Sequence, residues 1–95
     1  MTKIIISPKI TDKLRDKHRV TPEEVRQCFG NVTGKFLEDD RENNRTIPPT
    51  KWFLSYTDSD RLLKVVFIEK EGKIFLKTAY PPNIDEIHLY KRGTK

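Results

Sequence analysis

The chain has 95 residues, of which 35% are hydrophobic and 35% charged, and its mean hydropathy is −0.71. One small domain with a thin core is expected, so neither a two-domain enzyme nor a deep cofactor vault fits this length. Nineteen Lys and Arg against 14 Asp and Glu leave a net charge of +5, which favours nucleic acid or an acidic protein as partner.

The charge is uneven. Residues 1–37 carry eight basic and four acidic side chains, residues 38–48 two and four, and residues 49–95 nine and six, so two basic stretches flank the acidic patch Glu38-Asp39-Asp40-Arg41-Glu42. Cys28 is the single cysteine, which excludes an internal disulfide and a thiolate zinc finger and reads as a small core residue. Ile4-Ile5-Ile6 is far shorter than the roughly 7–15 apolar residues of a signal-peptide core, and no run approaches the roughly 18 of a membrane span. A reducing, cytoplasmic home without membrane contact is therefore expected.

In chain order, Lys3-Ile4-Ile5-Ile6 reads as a first strand or as the lead-in to a helix. Ser7-Pro8 supplies a cap and a first-turn proline, and Ile10, Leu14 and His18 follow at a spacing of four, which predicts a helix over 8–18. Thr21-Pro22-Glu23-Glu24 is a capping box, and Val25, Cys28 and Phe29 form an apolar stripe before Gly30, predicting a second helix over 22–29. Residues 35–40 are a possible strand, and 41–50 read as a loop from Asn43-Asn44 and Pro48-Pro49. The period then changes to two. Strands over 52–56, 62–68 and 74–80 are separated by turns at Asp58-Ser59-Asp60 and Lys70-Glu71-Gly72-Lys73, too short for crossovers, so the three form an antiparallel meander. Pro81-Pro82 ends the sheet, and Asn83 with Glu86 caps a last helix with apolar edge Ile84, Ile87 and Tyr90. The expected architecture is α+β: N-terminal helices, an antiparallel meander and a C-terminal helix. Strict alternation puts Lys64 with Leu62, Val66 and Ile68, and puts Thr78 and Tyr80 with Ile74 and Leu76, opposite Phe75, Lys77 and Ala79. Helices are expected on one face, the other forming a concave platform.

The two histidines, His18 and His88, are far apart, and Glu38-Asp39-Asp40 lacks the spacing of a metal site, so no metal and no cofactor is expected. Glycine-rich nucleotide loops and the serine-hydrolase elbow are absent as motifs. A set of Lys, Arg, His, Thr and Tyr suits RNA cleavage, in which the 2′-hydroxyl is the nucleophile. The protein then need only move two protons and stabilise the crowded phosphate. Lys64 interrupts an apolar strand and needs either solvent or an anion. Arg61 at a turn, Arg92 near the end and Lys77 are candidate phosphate ligands. Trp52 and Tyr56 share a strand face and suit either base stacking or, for Trp52 above all, the core.

Lys17-His18-Arg19-Val20-Thr21-Pro22-Glu23-Glu24-Val25 resembles the Lys-His-Gly-Val-Ser-x-Glu-Glu segment of BrnT-type toxins, within the RelE-like group. Arg61-Leu62-Leu63-Lys64-Val65-Val66-Phe67-Ile68 and Ile74-Phe75-Leu76-Lys77-Thr78-Ala79-Tyr80-Pro81 are similar to their central strands and to the Thr-x-Tyr-Pro strand end of the wider barnase, EndoU, colicin and RelE fold group. Ile4-Ile5-Ile6 stands in place of a Phe-x-Trp-Asp strand, Leu14 in place of an Asn, and Arg19 in place of a Gly, which marks a sister family. The resemblance implies a RelE-like fold, a metal-independent endoribonuclease toxin and a cognate antitoxin over the active face. It makes His18 the acid/base candidate, Lys64 and Arg61 phosphate ligands, and Thr78 and Tyr80 the residues that orient the phosphate. The competing expectation is a non-catalytic basic module that holds nucleic acid or an acidic partner.

Overall fold

The computed structural model describes residues 3–38 and 48–93. Most of the acidic patch and the Asn43-Asn44 pair lie outside these residues. Ser7 is extended, and its Oγ accepts the Ile10 N–H at 3.2 Å. Pro8 opens helix α1 (Pro8–Lys13), its fixed φ suiting a first turn. The helix widens into one π turn, Leu14–His18, ended by Arg19 in the left-handed region at φ 52, ψ 44. The axis predicted over 8–18 is present, but a π turn repeats from i to i+5, so the four-residue spacing from Leu14 to His18 does not carry through it.

The predicted capping box opens α2 (Pro22–Asn31): Thr21 Oγ1 accepts the Glu24 N–H at 3.1 Å, and Glu24 Oε1 accepts the Thr21 N–H at 3.0 Å. Gly30 does not stop this helix, which runs on to Asn31. Its buried side, Val25 and Cys28, packs on the sheet.

The sheet has five strands in the order β1-β5-β4-β3-β2. Strands β3 (Thr50–Tyr56), β4 (Leu62–Lys70) and β5 (Lys73–Tyr80) are the predicted antiparallel meander. Glu71 and Gly72 have φ of 54 and 76°, as a twisted two-residue hairpin requires. Short β2 (Leu37–Glu38) adds outside β3. At the other edge β1 (Lys3–Ile5) pairs in parallel with β5, so the sheet is mixed rather than a meander alone.

A register shift corrects the predicted faces. Val66 pairs with Thr78 but Phe67 with Leu76, leaving Lys77 without a partner in the ladder. One extra residue inverts the alternation on its far side. Phe75 therefore shares the face of Thr78 and Tyr80, while Ile74 and Leu76 join buried Ala79 on the other.

That other face carries the main core. Phe29 of α2 stands edge-on to Phe53 and Phe67, at 4.8 and 5.4 Å between ring centroids. Leu14, Val20, Val25, Leu63 and Val65 are fully buried. The second face is not an open platform, because helix α3 (Ile84–Gly93) folds back over it and brings the Tyr90 ring to 5.7 Å from Trp52. Trp52 is buried there and Tyr56 exposed.

Candidate functional site

At the end of the sheet where β4 begins and β5 finishes, Lys64 and Tyr80 are register partners on the face that α3 covers. Lys64 is 7% exposed. Its ammonium lies 4.6 Å from the Trp52 ring centroid and 5.7 Å from that of Tyr80, where the negative ring faces partly replace lost water. Full compensation needs an anion, and α3 provides one. Pro81-Pro82 turns the chain out of β5. Asn83 then caps α3, its Oδ1 accepting the Glu86 N–H at 2.8 Å while Glu86 Oε1 accepts the Asn83 N–H at 3.0 Å. This fixes the Glu86 side chain so that Oε2 accepts from Lys64 Nζ at 2.6 Å and from the Tyr80 hydroxyl at 3.1 Å.

Burial alone pushes the Glu86 carboxyl up. The Lys64 hydrogen bond, the Asn83 N–H, the Lys64 charge and the Tyr80 hydroxyl together outweigh it and hold its pKa below the ordinary 4.5. The group is therefore a carboxylate at neutral pH, held by three donors.

His18, at the end of the π turn, places its ring 5.4 Å from that of Tyr80, tilted by 34°. The first and last helical segments thus meet at the sheet: an imidazole from the first, an ammonium and a phenol from the sheet, a carboxylate from the last. The carboxylate is a hydrogen-bond acceptor, and the ammonium, the phenol and the imidazole can donate. Acid/base chemistry beside a polarised oxyanion needs such a combination.

The other predicted residues lie outside this hydrogen-bonded group. Thr78 is half-buried on the same face as Tyr80 and pairs with Val66. Lys77 is the bulged residue and is exposed. Exposed Arg92 lines an open hollow on α3 with Asp85, His88 and Lys91. The Arg61 guanidinium is engaged within the chain, donating to the His18 and Arg19 carbonyls at 2.9 and 2.7 Å and to Glu24 Oε2 at 3.3 Å. Cys28 is buried, with its Sγ 3.6 Å from the Ser55 carbonyl; burial first, and then the Glu24 charge, raise its pKa to about 11. Among the described residues no group of three His, Cys, Asp or Glu side chains is placed to hold a metal ion, and no helix is long and apolar enough to cross a membrane.

Glu86 is the site residue that sequence reasoning assigned only to capping. Its signal was present in two halves: a lysine in an apolar strand that requires a counter-charge, and the Asn-Ile-Asp-Glu helix start that puts Glu86 six residues past the strand end. No protein-family model matches the chain, and no curated protein matches it significantly.

Proposed function

We propose that the protein is a metal-independent endoribonuclease, the toxin of a toxin–antitoxin pair, which cleaves RNA by attack of the 2′-hydroxyl on the adjacent phosphate. The observation that carries this reading is the sharing of Glu86 Oε2 by Lys64 and Tyr80, with the His18 ring against Tyr80. As Lys64 and the Tyr80 hydroxyl turn from Glu86 Oε2 to the phosphate oxygens, that carboxylate oxygen loses the donors that lower its basicity and takes the 2′-hydroxyl proton. Lys64 compensates the charge that gathers on the non-bridging oxygens, towards which the Tyr80 hydroxyl turns. His18 delivers a proton to the departing 5′-oxygen. The products are a 2′,3′-cyclic phosphate and a free 5′-hydroxyl, so atoms and protons balance without a further reactant. Thr78 borders the phosphate, and exposed Lys77 and Arg92 hold the flanking backbone.

The exposed apolar side chains Ile84 and Leu89 on α3 suit coverage by a protein antitoxin beside the site. The buried Cys28 thiol accords with a cytoplasmic setting.

The experiment is incubation of the purified protein with a labelled RNA oligonucleotide in excess chelator. Cleavage with cyclic-phosphate ends is expected, slowed roughly 10²–10⁴-fold in folded Glu86→Gln and His18→Ala variants. Intact RNA after hours at micromolar protein ends the ribonuclease reading. The second reading, a non-catalytic basic module, is favoured by one observation: Lys64 is already paired at 2.6 Å. It predicts binding that weakens steeply with salt and yields no product.

A further inference from the structure

We infer that Arg61, oriented by Glu24, is a positioning residue that holds His18 against Tyr80, rather than a ligand of the RNA phosphate; this rests on the ribonuclease reading above for its consequence in catalysis.

The last carbonyls of a helix have no partner within it. A turn closed by a non-glycine residue in the left-handed region is also held against its own preference. Both conditions meet at His18 and Arg19. Arg19 adopts φ 52, and the His18 and Arg19 carbonyls both face the Arg61 fork: Nη2 donates to His18 at 2.9 Å and Nη1 to Arg19 at 2.7 Å. A guanidinium can span two carbonyl oxygens with a rigid fork, whereas an ammonium is a single point.

The fork is itself held. Glu24 Oε2 lies 3.3 Å from Arg61 Nη1, while its Oε1 is fixed by the Thr21 N–H and hydroxyl at 3.0 and 3.3 Å. On the other side, the Arg61 N–H donates to Thr57 Oγ1 at 3.1 Å, and the Thr57 N–H donates to the Arg61 carbonyl at 2.9 Å. Thr57 is 1% exposed. The anchor therefore runs from a capped helix and the buried Thr57 to the backbone of the residue that carries the imidazole. Arg61 also directly precedes β4, three residues before Lys64, so one strand start sets the place of both the cation and the acid.

The test uses Arg61→Lys and Glu24→Gln in the 95-residue chain. The first keeps the charge but cannot fork; the second keeps the capping acceptor but removes the charge that steers the guanidinium. With both variants melting cooperatively, the expected result is a loss of kcat of roughly 10–100-fold in Arg61→Lys and a smaller loss in Glu24→Gln. KM and the salt dependence of binding stay within about two-fold of wild type, because a displaced catalytic group lowers the rate without touching substrate. A raised KM with unchanged kcat, and a salt slope reduced by about one, would identify Arg61 as a phosphate ligand and overturn the inference. A readout independent of cleavage is the proton NMR cross-peak between the His18 and Tyr80 rings. It is expected in wild type and weakened in Arg61→Lys. Its full retention in that variant overturns the positioning role even if the wild-type protein cuts no RNA. Its loss alongside uncut RNA upholds the anchor and rejects only the activity.

Discussion

Lys64→Met isolates the energetic role of the central ion pair. The substitution keeps an unbranched stem among Trp52, Tyr80 and α3 but removes the ammonium 2.6 Å from Glu86 Oε2. At that separation the gross attraction is about 6 kcal/mol for an effective dielectric of about 20, most of it offset by the desolvation of both ions. The measurable quantity is the cost of leaving one ion behind, about 3–5 kcal/mol for a fully buried pair. Here the side chains keep 9% and 17% of their exposure, so water reaches the orphaned carboxylate and the cost falls to about 2–3 kcal/mol. For a domain of this size that is a fall in Tm of about 10–20 °C.

Thermal and urea unfolding of Lys64→Met, Glu86→Gln and the double variant give the coupling, expected to be at least about 1 kcal/mol, with the double variant losing less than its parts combined. The pH dependence has a definite sign. The folded-state pKa of Glu86 is lowered, so its stabilising contribution is complete above the ordinary carboxylate value of 4.5 and is lost as pH falls through the depressed folded value. Wild type should therefore lose stability in acid more steeply than Lys64→Met. Two results refute the reasoning: a Lys64→Met midpoint within about 0.5 kcal/mol of wild type, or strict additivity in the double variant.

Arg19→Gly should raise stability by about 0.5–1 kcal/mol, the relief of a left-handed non-glycine residue less the extra entropy of glycine in the unfolded chain; a lower Tm would show that the Arg19 side chain contributes more than its backbone strain. Gly34→Ala should destabilise by about 1–3 kcal/mol, because an added Cβ meets the hydroxyl and ring of Tyr90, and an unchanged urea midpoint would mean that the ring shifts freely. Cys28, buried and with its pKa near 11, should react with a thiol-specific reagent only on unfolding, so labelling that outpaces unfolding contradicts its packing.

What was legible in the sequence was what local chemistry decides. Ser7-Pro8, the Thr21–Glu24 box and the Asn83–Glu86 box each start a helix where predicted, because each satisfies donors within three residues. The meander followed from alternation and from turns too short for anything else. Three features do not follow from local patterns taken one at a time. The bulge at Lys77 carries no glycine, so alternation was read straight through it and Ile74, Leu76 and Phe75 went to the wrong faces. The π turn has the composition of an ordinary helix. Glu86 served visibly as a cap, while its second oxygen answers a lysine 22 residues earlier. For the site, Lys64, Tyr80 and His18 do meet, whereas Arg61 was read by its charge although its geometry ties it to the main chain.

The parallel pairing of β1 with β5 bears on the order of assembly. Ile4 and Ile5 find their partners, Ile74 and Phe75, only after some seventy residues of intervening chain, a high contact order for so short a protein, and such pairings form slowly. During synthesis this edge must wait until Phe75 has left the ribosome. The cluster around Glu86 waits longer still, so a nascent chain truncated before Glu86 cannot complete the site.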